Sequence, residues 1–352
     1  MMRHRAFARP RDARPAAFLA VVVLALAVAG VGCPCVNTVV NDSPGLRWWL
    51  FSNFAASRVC PEMLKRGVPL KLALLGPNSV GRYFPQQCGV HVDDNTRTMR
   101  VDVTGAGYAV LPLAKRVGFY CGVSVEFSPD FHVNDDAIYV WGRFNRVLAP
   151  PDLRLLGVES PVVSLATQTP LGNVATVLGR SIVESELARG FTVVRLSDGD
   201  DFTLGILQPP ARPKRQFQTG SDRVLLASDR TEVHAASRDY LGPFAIEQSG
   251  AALSVVLSVA GAGTDYVVVD KATGDAWLQP YEAAQPIGPP PAQPIAFGDA
   301  PPGETRRTFP LDPGAYYVVI ENRAPAPAGP LGMPMPFEPV AVVSYNVEVG
   351  SR

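Results

Sequence analysis

The sequence predicts a mainly β protein with some helix, in which an α+β N-terminal region precedes a C-terminal antiparallel β-sandwich of jelly-roll-like form. Three observations predict this class. The chain is 47% hydrophobic and only 18% charged, which is enough apolar material for a packed core. Its 352 residues suggest about two domains. Beyond residue 70, short apolar or alternating runs are separated by turn residues, which is typical of strands.

Residues 1–32 read as an export signal. Five arginines precede Ala16 to Gly32, a run of 17 residues without a charge. A basic head before an apolar run is typical of a signal peptide, and a short transmembrane anchor is the alternative. In either case the basic head stays in the cytoplasm and the remainder is exported.

The charge of the exported body argues against nucleic acid as a partner. The first 32 residues hold five of the 32 basic residues and one of the 32 acidic residues, so the body has a net charge of −4. A mildly acidic chain without a basic stripe lacks the electrostatic footprint of a nucleic-acid binder.

The end of the signal carries a lipidation pattern. Gly30-Val31-Gly32-Cys33 resembles the lipobox of bacterial lipoproteins, in which the cysteine receives diacylglycerol and becomes the new N-terminus. The resemblance implies that Cys33 is the lipid attachment site, and that the protein is anchored to a membrane of the bacterial cell envelope. Multiple acyl chains would make that anchor firm.

Cysteine parity agrees with that assignment. The count of five is odd, and an exported chain with an odd count needs one special thiol. If Cys33 takes the lipid, four cysteines remain for two disulfides, and the three pairings stay open. These disulfide candidates are Cys35, Cys60, Cys88 and Cys121.

The region 33–207 should begin with helices. Trp48, Phe51 and Val59 recur at helical spacing within residues 46–67, and Pro61 suits the first turn of a second short helix. Trp48 and Trp49 follow the anchor closely, which would suit a membrane surface. Packing of both rings into the core is the favoured interpretation.

Strands are expected from Leu70 to Val147, where the last two strands form a hairpin across residues 128–136. A helix is expected from Pro170 to Gly190. A second hairpin then turns at Asp198-Gly199. Gly105-Ala106-Gly107 lacks the third glycine and the following helix of a phosphate loop, so a hairpin or bulge is expected there.

Cofactor chemistry is sparse. Asp198, Asp200 and Asp201 form the best candidate for calcium, which takes oxygen ligands, although Asp is also what turns favour. No other cofactor is expected. His91, His132 and His234 are scattered without a zinc or nucleophile-elbow motif, so no catalytic residue is assigned and the protein is not expected to be an enzyme.

The second half reads as a separate sandwich. Residues 208–220 are Pro-rich and without period, as in a linker. Residues 221–350 hold seven candidate strands with frequent turns, as in a β-sandwich. Pro-rich stretches at 285–304 and 324–339 interrupt them and should be surface loops, because proline cannot sit in a central strand.

One stretch of this half resembles a known family. "YLGPFAIEQSGAALSVVLSVAGAGTDYVVVD" followed by "RTFPLDPGAYYVVIEN" is similar to the bacterial pre-peptidase C-terminal domain. Asp265 and Tyr266 match its turn before an aromatic-led strand, and Leu311, Gly314 and Tyr316 match its later Tyr-rich strand. Gly263 stands where the family usually has an earlier Asp. The resemblance implies a small accessory or adhesion-like β-sandwich.

These observations favour a binding or structural role for a lipid-anchored envelope protein, with a glycan or another envelope protein as partner. Trp277, Tyr281 and Phe297 are the ligand-binding candidates, and the first two are spaced like a sugar-stacking pair. For Trp277, packing into the core is the favoured interpretation. An accessory subunit of an envelope or secretion assembly is the alternative. A divergent hydrolase is a third.

Overall fold

A computed structural model gives the fold. It describes residues 34–72, 75–111, 115–134, 136–160, 187–196, 199–218, 220, 222–325 and 339–351. Four predicted features lie outside these residues: the expected signal segment with Cys33, the expected helix at 170–190 up to residue 186, Asp198, and most of the Pro-rich stretch at 324–339. No helix within the described residues is long and apolar enough to span a membrane.

A helical layer opens the described chain. It consists of α1 (Pro34–Asp42), α2 (Pro44–Leu50), a π-helical turn (Phe51–Ala55) and α3 (Ala56–Leu64). Ser43 caps α2, since its Oγ accepts a hydrogen bond from the amide of Leu46. Pro61 lies inside α3, so the expectation that it begins a second helix is wrong. The inward face of this layer packs on the following sheet.

That sheet is a curled antiparallel meander in which seven strands pair in chain order. The strands are β1 (Val68–Leu70), β2 (Gly81–Asp93), β3 (Thr98–Leu111), β4 (Lys115–Val133), β5 (Ile138–Val158), β6 (Phe191–Leu196) and β7 (Gly199–Leu204). The expected hairpins β4–β5 and β6–β7 are confirmed.

Two glycines of β3 lie where the backbones of β2 and β3 come very close together. The stretch Gly105-Ala106-Gly107 lies within β3, not at a hairpin. A Cβ at Gly105 would collide with the backbone oxygen of Phe84 on β2, and the pairing register shifts between Pro85 and Gln87 opposite it. The expected irregularity is therefore a bulge carried by the neighbouring strand.

One disulfide joins the helical layer to the sheet. Cys60 of α3 is bonded to Cys88 of β2, with Cα atoms 5.4 Å apart. Such bonds persist in oxidising compartments, which indicates an extracytoplasmic location.

Cys121 is a buried free thiol, so the expectation that it forms a second disulfide is wrong. Burial, with Asp152 nearby, raises the pKa of Cys121 to about 11. The side chain of Cys35 lies outside the described part.

Two four-stranded antiparallel sheets form the C-terminal sandwich. Their strands are β8 (Arg223–Val233), β9 (Ser237–Ile246), β10 (Ala251–Gly261), β11 (Thr264–Asp270), β12 (Ala296–Ala300), β13 (Gly303–Pro310), β14 (Gly314–Asn322) and β15 (Ala341–Ser351). The sheet orders are β13-β10-β15-β8 and β12-β11-β14-β9. This is the strand order of an eight-stranded jelly roll.

The sheet β12-β11-β14-β9 is buried on both faces. On β11, Val268 points into the core between the two sheets, whereas Val267 and Val269 face outward into a second cluster. The continuous apolar run in "DYVVVD" reflects this double burial. An unexpected helix, α4 (Lys271–Glu282), covers the outer face.

The same cluster joins the two halves of the molecule. Phe84 and Tyr108 of the meander pack with Tyr240 and Tyr317 of the sandwich. At its margin Arg82 forms a buried bidentate ion pair with Asp239, with N–O distances of 3.0 and 2.8 Å. Although burial opposes the charge, Arg82 and the Tyr108 hydroxyl hold the pKa of Asp239 below its usual range.

The Pro-rich segment between β7 and β8 docks on the sandwich. The amide of Gln216 donates to Ser228 Oγ, and Asn346 Nδ2 donates to the carbonyl of Phe217. The segment therefore contributes contacts to the fold as well as connecting its halves.

Candidate binding surface

The candidate surface is built on α4, which starts immediately after β11. Asp270 is the N-cap, and its carboxylate accepts hydrogen bonds from the amide and hydroxyl of Thr273. At its other end, α4 comes close to the meander: a Cβ on Gly118 would strike the carbonyl oxygen of Glu282, and a Cβ on Gly157 would strike that of Ala283, which follows the helix. The absence of a side chain at these two glycines allows the end of the helix to pack directly on the meander.

Arg238 of β9 organises the side chains of α4. Its guanidinium lies 4.2 Å from the centre of the Trp277 ring and forms an ion pair of 2.8 Å with Glu321. The Tyr281 hydroxyl donates to the carbonyl of Arg238, and the Tyr240 hydroxyl donates to the carbonyl of Trp277. Trp277 and Tyr281 are thus held from beneath by the sandwich.

The same groups fix the Pro-rich stretch that follows α4. The carbonyl of Gly288 accepts a hydrogen bond of 3.0 Å from Trp277 Nε1 and another of 3.0 Å from Arg238. The carbonyl of Gln285 accepts from Arg116, whose guanidinium also lies over the Tyr281 ring at 4.1 Å. A cavity of about 150 Å³ remains between the helix and this segment.

The outer side of the segment carries exposed apolar side chains. Phe297 has the highest exposed fraction of any large hydrophobic side chain in the described part, at 74%. Ile295 is 48% exposed and Ile287 is 39% exposed. Phe297 lies on β12, an edge strand of its sheet. The segment that carries these exposed apolar side chains is therefore the one whose backbone is held by hydrogen bonds.

The three candidate ligand-binding residues differ in their exposure to solvent. Trp277 and Tyr281 are each only 3% exposed, so the favoured core packing of Trp277 is confirmed and the expectation that Tyr281 is an exposed contact residue is wrong. They lie four apart on a helix, where i and i+4 share a face, and that face packs inward. Phe297 alone is open. Ile287, Ile295 and Arg238 were missed, although isolated isoleucines in a Pro-rich stretch have little to pack against.

The structure does not describe the side chains of the calcium candidate. Asp200 and Asp201 lie on β7, and their side chains lie outside the described part, as does Asp198. Among described residues, no three His, Cys, Asp or Glu side chains gather as a metal site. Other acidic clusters shape turns, as where Asp93 accepts from the amides of Asn95 and Thr96.

The histidines of the described residues have separate neighbours. His91 lies 3.8 Å from Asp102, His132 contacts Asn134 at 2.9 Å, and His234 lies 4.0 Å from Glu232. Each side chain thus belongs to a different place in the fold.

No family model matches the chain, and no curated protein matches it.

Proposed function

We propose that the protein is a lipid-anchored envelope protein whose jelly roll is a binding module for another protein. The export segment, the lipobox-like Cys33 and the extracytoplasmic disulfide support the location. The resemblance to the pre-peptidase C-terminal domain supports an accessory role for the sandwich.

The observation that carries the proposal is the coincidence of rigidity and exposure in residues 285–297. The carbonyls of Gln285 and Gly288 are held by buried arginines and Trp277, whereas Ile287, Ile295 and Phe297 face solvent. A preformed apolar surface loses little conformational entropy on binding. Exposed apolar groups on a held segment indicate an interaction site.

A protein partner fits this surface better than a glycan. Sugars stack on open aromatic faces, and of the three aromatic candidates only Phe297 has one. Ile287 and Ile295 offer aliphatic contact area, which suits the apolar centre of a protein interface.

Photocrosslinking in the native envelope tests this function. We would place a benzoylphenylalanine at Phe297 and, as the matched control, at Leu156, which is 46% exposed on β5. The expected result is a discrete protein adduct from position 297 that is absent from position 156, and that Ile295→Ser weakens.

Equal adducts from both positions, or none from position 297 in folded and correctly localised protein, would contradict the proposal. A change in glycan retention by Phe297→Ser without any protein adduct would assign the surface to a glycan instead.

A further inference from the structure

The outer face of the helical layer is apolar and basic. Exposed positions recur at 54, 57, 58, 61, 64 and 65, which is the spacing of one helix face. Phe54 and Leu64 are exposed apolar members of this face, and Arg58 and Lys65 are exposed cations, of which Lys65 also pairs with Glu62 at 2.6 Å.

The opposite face of the layer is committed to the core. Phe51 and Ala56 are buried against the meander, and the disulfide at Cys60 holds α3 on β2. The layer therefore cannot turn its outer apolar groups inward without leaving the sheet.

The tandem tryptophans divide between the two faces. Trp48 donates from Nε1 to Asp94 at 2.9 Å and packs against the buried cluster with Phe51. Trp49 instead packs edge-on against the exposed Phe54, with ring centroids 5.6 Å apart. Core packing thus accounts for Trp48, whereas Trp49 belongs to the outer aromatic pair.

We propose that this outer face, comprising Trp49, Phe54 and Leu64 with Arg58 and Lys65, lies in the interfacial region of the membrane that holds the protein's anchor. The inference rests on the proposed anchoring. The apolar run ends at Gly32 and Cys33 follows, so α1 begins directly at the anchor with Pro34. Its nine residues span only about 14 Å.

Because this distance is short, we take the bilayer to be the partner of the outer face. Tryptophan and phenylalanine favour the membrane–water interface, and exposed cations are attracted to anionic lipid headgroups. A surface with both groups is thus held within one short helix of the acyl anchor, close to the bilayer.

Fluorescence quenching in vesicles tests the inference. Membrane-purified protein is reconstituted into phosphatidylethanolamine–phosphatidylglycerol vesicles that contain lipids brominated near the headgroup. We expect the wild type to be quenched, Trp49→Phe to lose most of that quenching, and Trp48→Phe to keep it. Phe54→Ser combined with Leu64→Ser should reduce the quenching of Trp49 severalfold, with the thermal unfolding midpoint checked for each variant.

Flotation of the vesicles separates the two proposals. Protein that floats but is not quenched, or whose quenching survives Trp49→Phe, overturns the membrane contact and leaves the anchor standing. Protein that does not float overturns the anchor itself. Floating protein with quenching specific to Trp49 supports both.

Discussion

Glu282 is a buried carboxyl at the end of α4. Its Oε1 has no hydrogen-bond donor among the described residues. Burial, with Asp275 adding a like charge, raises the pKa of Glu282 to about 7, and Tyr317 is a further titratable neighbour. A raised pKa means that the folded state favours the protonated form. The contribution of Glu282 to stability is therefore full at acid pH and is lost as the pH rises through about 7.

Glu282→Gln should consequently stabilise the protein at alkaline pH. Thermal unfolding midpoints should rise relative to wild type at about pH 8 and match it at about pH 4, because the variant cannot ionise. Glu247→Gln, on an exposed loop, is the control and should show no such pH dependence. An equal effect of Glu282→Gln at both pH values would assign it to packing instead of charge.

At this scale the sequence identifies residue types better than their surroundings. It marks Trp277, Tyr281 and Phe297 alike, because all three are aromatic and lie near the Pro-rich stretch. Their burial depends on α4 lying between the meander and the sandwich, a contact between residues more than a hundred positions apart. Helical spacing indicates that Trp277 and Tyr281 share a face, but not which way that face turns.

Among the elements, α4 positions the proposed binding surface. It links the β11 strand to the Pro-rich segment, and Trp277 on it fixes the carbonyl of Gly288. The position of α4 depends on Gly118, where an added Cβ would meet the backbone oxygen of Glu282. A backbone atom cannot move aside as the end of a flexible side chain can.

Gly118→Ala should therefore lower the free energy of unfolding by roughly 3 kcal/mol through overpacking. Gly89→Ala on β2 is the matched control, because a Cβ there meets nothing within 4 Å. Urea unfolding of both variants provides the measurement. A Gly118→Ala protein as stable as Gly89→Ala would show that α4 does not need this close approach.

Elements with local patterns are predictable from the sequence, and elements defined by distant partners are not. The hairpins β4–β5 and β6–β7 follow from apolar runs around turn residues. Within the expected β region, the residues of β2 do not by themselves indicate a strand, because "GRYFPQQCGVHVD" contains Pro, Gly and polar residues that its bulge accommodates. The helix α4 was missed because Gly274 and Pro280 are poor helix formers, and tertiary packing overrides them.

Over the whole molecule, meander and sandwich share one buried aromatic and ionic junction. Arg82 and Asp239 meet there with Tyr108 and Tyr345 around them. Removing one partner of a buried ion pair leaves the other charge unpaired, which costs about 3–5 kcal/mol.

We expect wild-type protein to unfold in one cooperative transition, with circular dichroism and tryptophan fluorescence coinciding. Asp239→Ala should lower the free energy of unfolding by about 3–5 kcal/mol. The exposed Asp312→Ala should change it little. Two separate transitions in the wild type would mean that the halves are independent domains.

The class of the molecule follows from its sequence, but the junction does not. Apolar runs and turn spacing predict a mainly β chain with a C-terminal sandwich. Residues 208–220 look like a linker because prolines lack period, yet their backbone bonds to Ser228 and Asn346. Contacts of this kind depend on three-dimensional complementarity, which leaves no periodic trace in the chain.

The most direct test of a lipid-anchored, extracytoplasmic protein is the intact mass of protein purified from bacterial membranes, with and without reduction. We expect a chain that begins at Cys33 and carries a diacylglyceryl and an acyl group. Reduction should add two hydrogens, from the bond between Cys60 and Cys88. An unlipidated chain would contradict the anchor, and no gain on reduction would contradict the extracytoplasmic location.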